Sequence, residues 1–401
     1  MRAVATSVDA RMWESLPAPD PGLRAVVVVP ARNEAAHLPM SLAALARQVD
    51  ASGKPLDRTS FEVVVFANNC DDESASSARR FADRHPELRL HVVEATLAPP
   101  QANIGFVRRQ LMDEAARRLE SIARHDGAIL STDADTRVAP DWLAATWAEL
   151  DKGADAVGGR ILTDASVHPS ASALRIRRID AAHALLRSRL ASLLDPEPFD
   201  PWPRHHQHFG ASLAVTARAY RLAGGVPDVP YLEDDALVRA LERAGMRVRR
   251  SPHVRVVTSS RLDGRAAVGL SWQLRQWAEA PPDHSGPLVE SPLRYARALS
   301  VRAVLRQAWT GAGRRLHPRR LAADLDARLG VASGTVERAA LAAETFGALW
   351  QDLDRRRVSE SVEPEAQIAM SEALVVLRVL IRHQQGDKAQ SASKTSIRYC
   401  G

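Results

Sequence analysis

The chain has 401 residues, 45% hydrophobic and 25% charged, which is ordinary composition for one extended α/β domain plus an accessory unit. Lysine and arginine outnumber aspartate and glutamate 54 to 48, and the net charge of +6 favours phosphate-bearing ligands or an acidic surface without arguing for nucleic acid. Zinc-finger spacing and an RNP-like aromatic run are absent, and the two cysteines, Cys70 and Cys400, exclude a disulfide framework. The opening MRAVATSVDARMWESLPAPDPG has no apolar h-region and no window reaches the length of a membrane span. The expectation is a reducing, cytoplasmic setting, with any lipid-linked material handled from the inner membrane surface.

Residues 1–24 end in a proline-rich segment and read as a leader that precedes the fold. Ala25 to Val29 is a continuous β-branched run, as expected of a parallel strand covered on both faces. A helix from Ala35 to Gln48, a strand from Phe61 to Phe66 and a turn cluster at Asn68 to Asp72 follow. Asp72 or Ser74 can cap the next helix, which runs to Arg84. Leu88 to Val93 reads as a third strand, Phe106 to Arg124 as an arginine-rich helix, and Ala128 to Leu130 as a strand that delivers Asp133 and Asp135 onto the turn beyond it.

Further strands are expected at Ala154 to Thr163, Gly210 to Thr216 and Val254 to Thr258. Helices are expected at Ser170 to Leu194 and Tyr231 to Gly245, the latter opening on Glu233-Asp234-Asp235. Asp195 to His208, with four prolines and His205, His206 and His208, reads as a loop that lines a site. From Ser291 onward the pattern is helical, including Leu293 to Gln307 and Ala366 to His383, and residues 387–401 look disordered. The alternation of strand and helix predicts an open, mainly parallel sheet flanked by helices, with ligands bound outside the carboxyl ends of the strands.

Pro30 to Glu34, Asn68 to Asp72, Asp133 to Asp135 and Glu233 to Asp235 all fall at strand ends, and in a parallel sheet the first three converge on one edge. A lone acidic pair is more often a helix cap; convergence gives it weight.

The chain resembles the family 2 glycosyltransferases, which have the GT-A fold. The matching pieces are VVVVPARNE at Val26 to Glu34, VVVFANNCDDES at Val63 to Ser74, NIGFVRRQLMDEA at Asn103 to Ala115, STDADT at Ser131 to Thr136, GASLAVTARAYRLAGG at Gly210 to Gly225 and LEDDALVRALERAG at Leu232 to Gly245. The resemblance implies a Rossmann-like nucleotide-diphospho-sugar transferase with a nucleotide-sugar-binding half at 25–150, an acceptor-binding and catalytic half at 151–290, and an appended helical region at 291–386. It implies a metal-dependent transfer of a hexosyl group from a nucleotide-diphosphate sugar to an acceptor hydroxyl, with inversion.

Pro30, Arg32, Asn33 and Glu34 would then lie along the nucleoside, Asn68 at the base, and Arg108 and Arg109 on the diphosphate, where a guanidinium fork suits phosphate oxygens. Asp133 and Asp135 would hold Mg²⁺ or Mn²⁺, Asp135 directly, with His253 completing the shell. Glu233-Asp234 matches the family's Glu-Asp pair, so Asp234 would take the acceptor proton, with Asp235 in reserve. Two departures stand out: Asn68-Asn69-Cys70 replaces the family's Asp-Asp/Asn-Gly-Ser character, and the 195–208 loop maps to no acceptor class.

A haloacid-dehalogenase-like phosphatase also carries D-x-D after a strand, but its motif continues to Thr or Val where this chain has Arg137. A catalytically silent nucleotide-sugar-binding scaffold is the other alternative, opposed by the intact acids. The arginine-bearing C-terminal helices suit packing on the catalytic domain, a homodimer or peripheral membrane contact.

Overall fold

The computed structural model describes residues 11–164, 171–261, 264, 268–279, 287–312, 319–359 and 367–398. Residues 1–10 of the expected leader and 399–401 of the expected tail lie outside them. Helix α1 (Arg11–Glu14) precedes β1 (Ala25–Ala31), α2 (Leu38–Ala46), β2 (Phe61–Asn68), α3 (Ser74–Arg84), β3 (Leu90–Ala95), α4 (Ile104–Ser121) and β4 (Ala128–Ser131). Then come β5 (Thr136–Val138), α5 (Trp142–Asp151), β6 (Ala156–Thr163), α6 (Ala171–Leu194), β7 (Leu213–Thr216), α7 (Ala217–Leu222), α8 (Glu233–Arg243) and β8 (Val248–Thr258). The rest comprises α9 (Leu270–Glu279), β9 (Leu288–Glu290), α10 (Pro292–Ala312), α11 (Arg319–Leu329), α12 (Thr335–Ala342), α13 (Phe346–Ser359), β10 (Gln367–Ala369) and α14 (Met370–Arg398).

The chain divides into two compact units, 1–168 with 207–275, and 169–206 with 276–401. The first holds an eight-stranded sheet of order β3-β2-β1-β4-β7-β6-β8-β5. Strand β1 pairs in parallel with β2 and β4, β2 with β3, and β6 with β8, while β7 and β5 run the other way. The expected mainly parallel sheet flanked by helices is what the chain adopts. Every residue of β1 and β2 is buried, and alternate side chains feed two cores. Val26, Val28, Val64 and Phe66 pack with Leu111 and Leu119 of α4 on one face. Val27, Val29, Val63 and Val65 pack with Leu42 of α2 and Trp142 of α5 on the other.

The direction of β7 has a consequence for the site. Because β7 is antiparallel to β4, the turn that enters it, Gly210–Ser212, lies at the edge where β4 ends. The same holds for Asp135, which enters the antiparallel β5. Strand ends and strand beginnings therefore meet on one edge, together with the starts of α4 and α8.

The residues just before β1 are part of this unit, which corrects the reading of 11–24 as a leader preceding the fold. Trp13 is buried with its ring edge-on to Phe66 at 5.7 Å, Leu23 is fully buried, and Arg118 Nη1 donates to the Pro17 carbonyl at 3.0 Å. Prolines signalled a loop, but a single aromatic side chain reaching a sheet face leaves no periodic trace.

The second unit joins the long helix α6 to the C-terminal helices. Leu190 and Leu193 of α6 pack with Leu299 of α10 and with Leu377 and Ile381 of α14, while Val301, Leu305, Leu325, Val336, Leu349 and Leu353 form a further core. Strands β9 and β10 pair as a small antiparallel ladder. Arg302 and Arg306 of α10 clasp Asp195, with Arg302 Nη1 at 2.6 Å and Arg306 Nε at 2.9 Å. Arg204 bonds Asp200 at 3.0 Å with both side chains buried. Residues 169–206 thus fold with the C-terminal helices and not with the half bounded by 151–290, and the 195–206 part of the expected site loop is held by ion pairs within it and to α10. Helix periodicity shows that α6 has an apolar face without naming its partner. The expected disordered tail is also corrected, since α14 continues to Arg398: extending an existing helix avoids the cost of nucleating one. Among the described residues no helix is long and apolar enough to cross a membrane.

Candidate functional site

The loops after β1 and β2 are stitched into one ledge. Asn33, at φ +55, accepts from the Asp71 backbone N–H at 2.8 Å, the Glu34 N–H donates to Ser74 Oγ at 2.7 Å, and the Ala35 N–H donates to Asp72 Oδ2 at 3.0 Å. Asn tolerates the left-handed region better than other residues with a Cβ, which suits it to this turn. Asn68 is buried at the end of β2, with its amide near Asn69 Oδ1 at 3.4 Å. Asn69, at φ +47, bonds the Leu97 backbone in both directions, at 2.9 and 3.2 Å, and so fixes this rim. Pro30 is buried within β1 and Arg32 is exposed beside it.

Arg108 is the hub of the edge. It lies one turn into α4, whose first turn is capped by Asn103 Oδ1 accepting from the Phe106 N–H at 2.9 Å, and its side chain is buried. Its Nε donates to Glu233 Oε1 at 2.8 Å, Nη2 to Asp133 Oδ1 at 3.0 Å, and Nη1 to the Gly210 carbonyl at 3.3 Å and to Ser131 Oγ. Burial opposes its charge, and Asp133, Glu233 and Asp234 outweigh burial, so its pKa is pushed up and the cation is permanent. Gly210 is required by this approach: a Cβ there would lie 2.5 Å from Arg108 Cζ. Arg109 points to Asp113 instead, at 3.6 Å, and does not join the cluster. Adjacent helix positions cannot share a face, which separates the two arginines.

Asp234 and Asp235 start α8 behind Leu232, a non-glycine residue at φ +56. Asp234 Oδ2 accepts from the Gly210 backbone N–H at 2.7 Å, and its Oδ1 accepts from the Asp235 N–H at 2.8 Å. Asp235 pairs with His208 Nε2 at 3.1 Å and accepts from Arg239 Nε at 2.6 Å. The His208 bond, opposed by burial and aided by Arg239, holds its carboxyl below the usual range.

Asp133 and Asp135 sit on the same edge but have different environments. Asp133 is partly exposed and paired with Arg108, whereas Asp135 is 14% exposed and faces Arg261 Nη2 at 3.1 Å, with Thr258 Oγ1 at 3.4 Å. Arg261 also grips the buried Glu34, through Nη1 at 2.8 Å to Oε2 and through Nη2 to Oε1, and His37 Nδ1 lies 3.2 Å from Oε2. Burial first, then Asp133, pushes the Asp135 carboxyl up to about 6 despite Arg261.

The pair fits a divalent cation by the chemistry of its donors: two hard oxygens on one edge, with negative charge that the nearby guanidinium leaves undercompensated. Among the described residues no group of three or more His, Cys, Asp or Glu side chains is arranged to hold a metal, so water and ligand oxygens would fill the remaining positions. His253 is not brought to the pair. It lies exposed in the irregular part of β8, between the partners Ser251 and Arg255 of Gly159 and Arg160, whereas the β8 residue beside Asp135 is Thr258. At roughly 3.3 Å per residue that strand path is about 16 Å.

Sequence reasoning missed Arg261, Ser131 and Gly210 as members of the cluster. Arg261 follows the end of β8, and the rule that strand ends share an edge could have found it once β8 was known to be parallel to β6.

The environment of Asp135 has a measurable consequence. A carboxyl whose folded pKa is raised favours folding in its protonated form, so its stabilising contribution is lost as pH rises through about 6. Asp135→Asn is therefore expected to stabilise the fold at pH 7.5 by on the order of 1 kcal/mol, after the loss of one ion pair, with the gain shrinking below pH 6. Melting curves at pH 7.5 and 5 check this, and an unchanged or lower midpoint at pH 7.5 would contradict it.

Neither a scan against protein-family models nor a search of curated proteins finds a match. Among solved structures the chain is similar to a mannosyltransferase from Pyrobaculum calidifontis in complex with GDP-Man and Mn²⁺, at 20% identity over 92% of this chain and 91% of that one, with a TM-score of 0.41. It is similar to residues 1–349 of TarS from S. aureus in complex with UDP-GlcNAc, at 14% identity over 84% and 90%, TM-score 0.42. A third is glucosyl-3-phosphoglycerate synthase from Mycobacterium tuberculosis, at 17% identity over 73% and 89%, TM-score 0.37.

Proposed function

We propose that this protein is a metal-dependent glycosyltransferase that moves a sugar from a nucleotide-diphosphate donor to an acceptor hydroxyl with inversion. The observation that carries the reading is Arg108, a buried cation that ties the acid after β4, Asp133, to the acid that opens α8, Glu233. A donor-side acid and an acceptor-side acid are thereby held in one rigid frame, as catalysis by orientation requires.

In this reading Asn33, Glu34 and Asn68 border the nucleoside, with Asn33 acting through the turn it fixes. Asp133 and Asp135 would hold Mg²⁺ or Mn²⁺, which, when bound, neutralises the charge developing on the departing diphosphate. Asp234 takes the acceptor proton as the hydroxyl oxygen forms its bond to the anomeric carbon and the bond from that carbon to the diphosphate oxygen breaks. Two backbone N–H donors, from Gly210 and Asp235, keep the Asp234 carboxylate oriented at the start of α8. Glu233 is spent on Arg108, so its part is to position that frame.

The test is ligand-induced stabilisation. Mn²⁺ with UDP or GDP at about 100 times Kd is expected to stabilise the protein by roughly 2.7 kcal/mol. The effect should vanish in Asp135→Ala. Indifference to every nucleoside diphosphate would overturn the reading, and tight donor binding without turnover on a broad acceptor panel would favour a silent binding module instead.

A further inference from the structure

Arg261 does something that a donor site of this kind does not require on its own account. Its guanidinium joins two acids from different strands, Glu34 after β1 and Asp135 before β5, and it stands against the carboxylate oxygen that a metal ion would use. A divalent cation and this guanidinium are rivals for the same charge. Asp135 Oδ2 engages Arg261, and its other oxygen meets the Thr258 hydroxyl at 3.4 Å. Asp133 is occupied on one side by the buried Arg108. Of the two arginines paired with Asp133 and Asp135, Arg108 is buried and anchored through four acceptors, so it is a fixed part of the frame. Among the described residues the Arg261 guanidinium is held by the two carboxylates, and it is 22% exposed, which leaves it able to swing away.

We propose that Arg261 is a resident counter-cation of the metal site. It occupies Asp135 and Glu34 before the donor arrives, and it is displaced from Asp135 when a divalent ion enters together with a diphosphate. The proposal rests on the reading of Asp133 and Asp135 as metal ligands. A guanidinium pairs with phosphate oxygens at least as well as with carboxylates, so an arriving diphosphate supplies Arg261 with a new partner as it loses the old one. Metal alone offers no such exchange, and it must then evict Arg261 without compensation. The outcome is positive coupling between metal and nucleotide, and by linkage each raises the affinity of the other by the same factor. The site stays closed to free metal ions and is completed only by the pair that chemistry needs.

The experiment titrates Mn²⁺ alone, followed by electron paramagnetic resonance of the free ion, into the full chain and its variants. Arg261→Gln removes the competing charge and keeps a polar side chain of similar reach. It is expected to bind Mn²⁺ alone about tenfold more tightly than the wild type, and the added gain from saturating UDP or GDP should shrink by the same factor. Arg261→Lys, a point charge unable to fork across two carboxylates, should fall between them. Arg137→Gln is the control for bulk charge, since Arg137 follows Thr136 on β5 and pairs with Asp164 at 4.0 Å. It should change Mn²⁺ affinity less than twofold, well inside the expected coupling. Equal Mn²⁺ affinity in the wild type and Arg261→Gln would overturn the counter-cation, as would an equal gain in Arg137→Gln. If no variant binds Mn²⁺ even with nucleotide, the metal site itself is refuted along with it. Circular dichroism and metal-free melting curves confirm that each variant is folded, and Arg261→Lys carries the test if Arg261→Gln is not.

Discussion

Asp234→Asn is expected to lower sugar transfer by about 10²- to 10⁴-fold while leaving donor affinity within a few-fold of the wild type. The substitution keeps the size of the side chain and one of its two backbone hydrogen bonds. The Asp234 Oδ2 that accepts from the Gly210 N–H can be matched by the amide oxygen of Asn, so the turn entering β7 keeps its hydrogen bond. What is lost is the capacity to take a proton, together with the bond that Oδ1 accepts from the Asp235 N–H, which the amide NH2 cannot replace. Rates are measured on the acceptors the wild type uses, and on water through metal-dependent hydrolysis of the nucleotide sugar, with donor affinity read in parallel by calorimetry. A variant that transfers at the wild-type rate would show that Asp234 is not the base. Asp235, whose oxygens meet the side chains of His208 and Arg239, would then be tested.

The second large effect is on stability. Arg108→Met should destabilise the protein by roughly 3 to 5 kcal/mol, because it leaves the buried Glu233 carboxylate without its cation. The cost belongs to the abandoned partner more than to the lost bond. Adding Glu233→Gln to Arg108→Met should therefore recover half or more of the loss, as measured by denaturant unfolding. If Arg108→Met unfolds within about 1 kcal/mol of the wild type, Arg108 is not the hub the geometry assigns. Recovery by the double variant, with donor binding still weak, would separate the structural role of this arginine from its contact with Asp133.

The two effects have one origin. The antiparallel β7 brings Gly210 to the edge where β4 ends, and Gly210 offers its carbonyl to Arg108 and its N–H to Asp234. One glycine thus joins the frame that holds Asp133 to Asp234, the proposed base, and the absence of a side chain there is what lets Arg108 approach.

Much of this was legible in the amino-acid order. Unbroken β-branched runs such as Ala25 to Val29 can be satisfied only by a strand covered on both faces, and alternation of such runs with helices demands a mainly parallel sheet. Parallel strands place their ends on one edge, so the convergence of Glu34, Asn68 and Asp133 followed without coordinates. Local chemistry was readable in part: the acids of α8 sit at its start as expected, whereas the cap position of α3, expected at Asp72 or Ser74, falls to Glu73, which makes no side-chain cap bond.

Partners distant in the chain were decided by the tertiary structure, because periodicity reports that a face is apolar or charged and never what meets it. Trp13 reaches Phe66, α6 pairs with α10 and α14, and the 195–206 segment is clasped by Arg302 and Arg306; none of these is encoded in a local pattern. The same limit chose Arg108 over Arg109 and Thr258 over His253 at the acidic pair, and it hid Arg261. A sequence shows which residues can carry charge at a strand end. Only the folded edge sets the distances, and within a few ångströms those distances decide which charges compensate one another and which remain for a ligand.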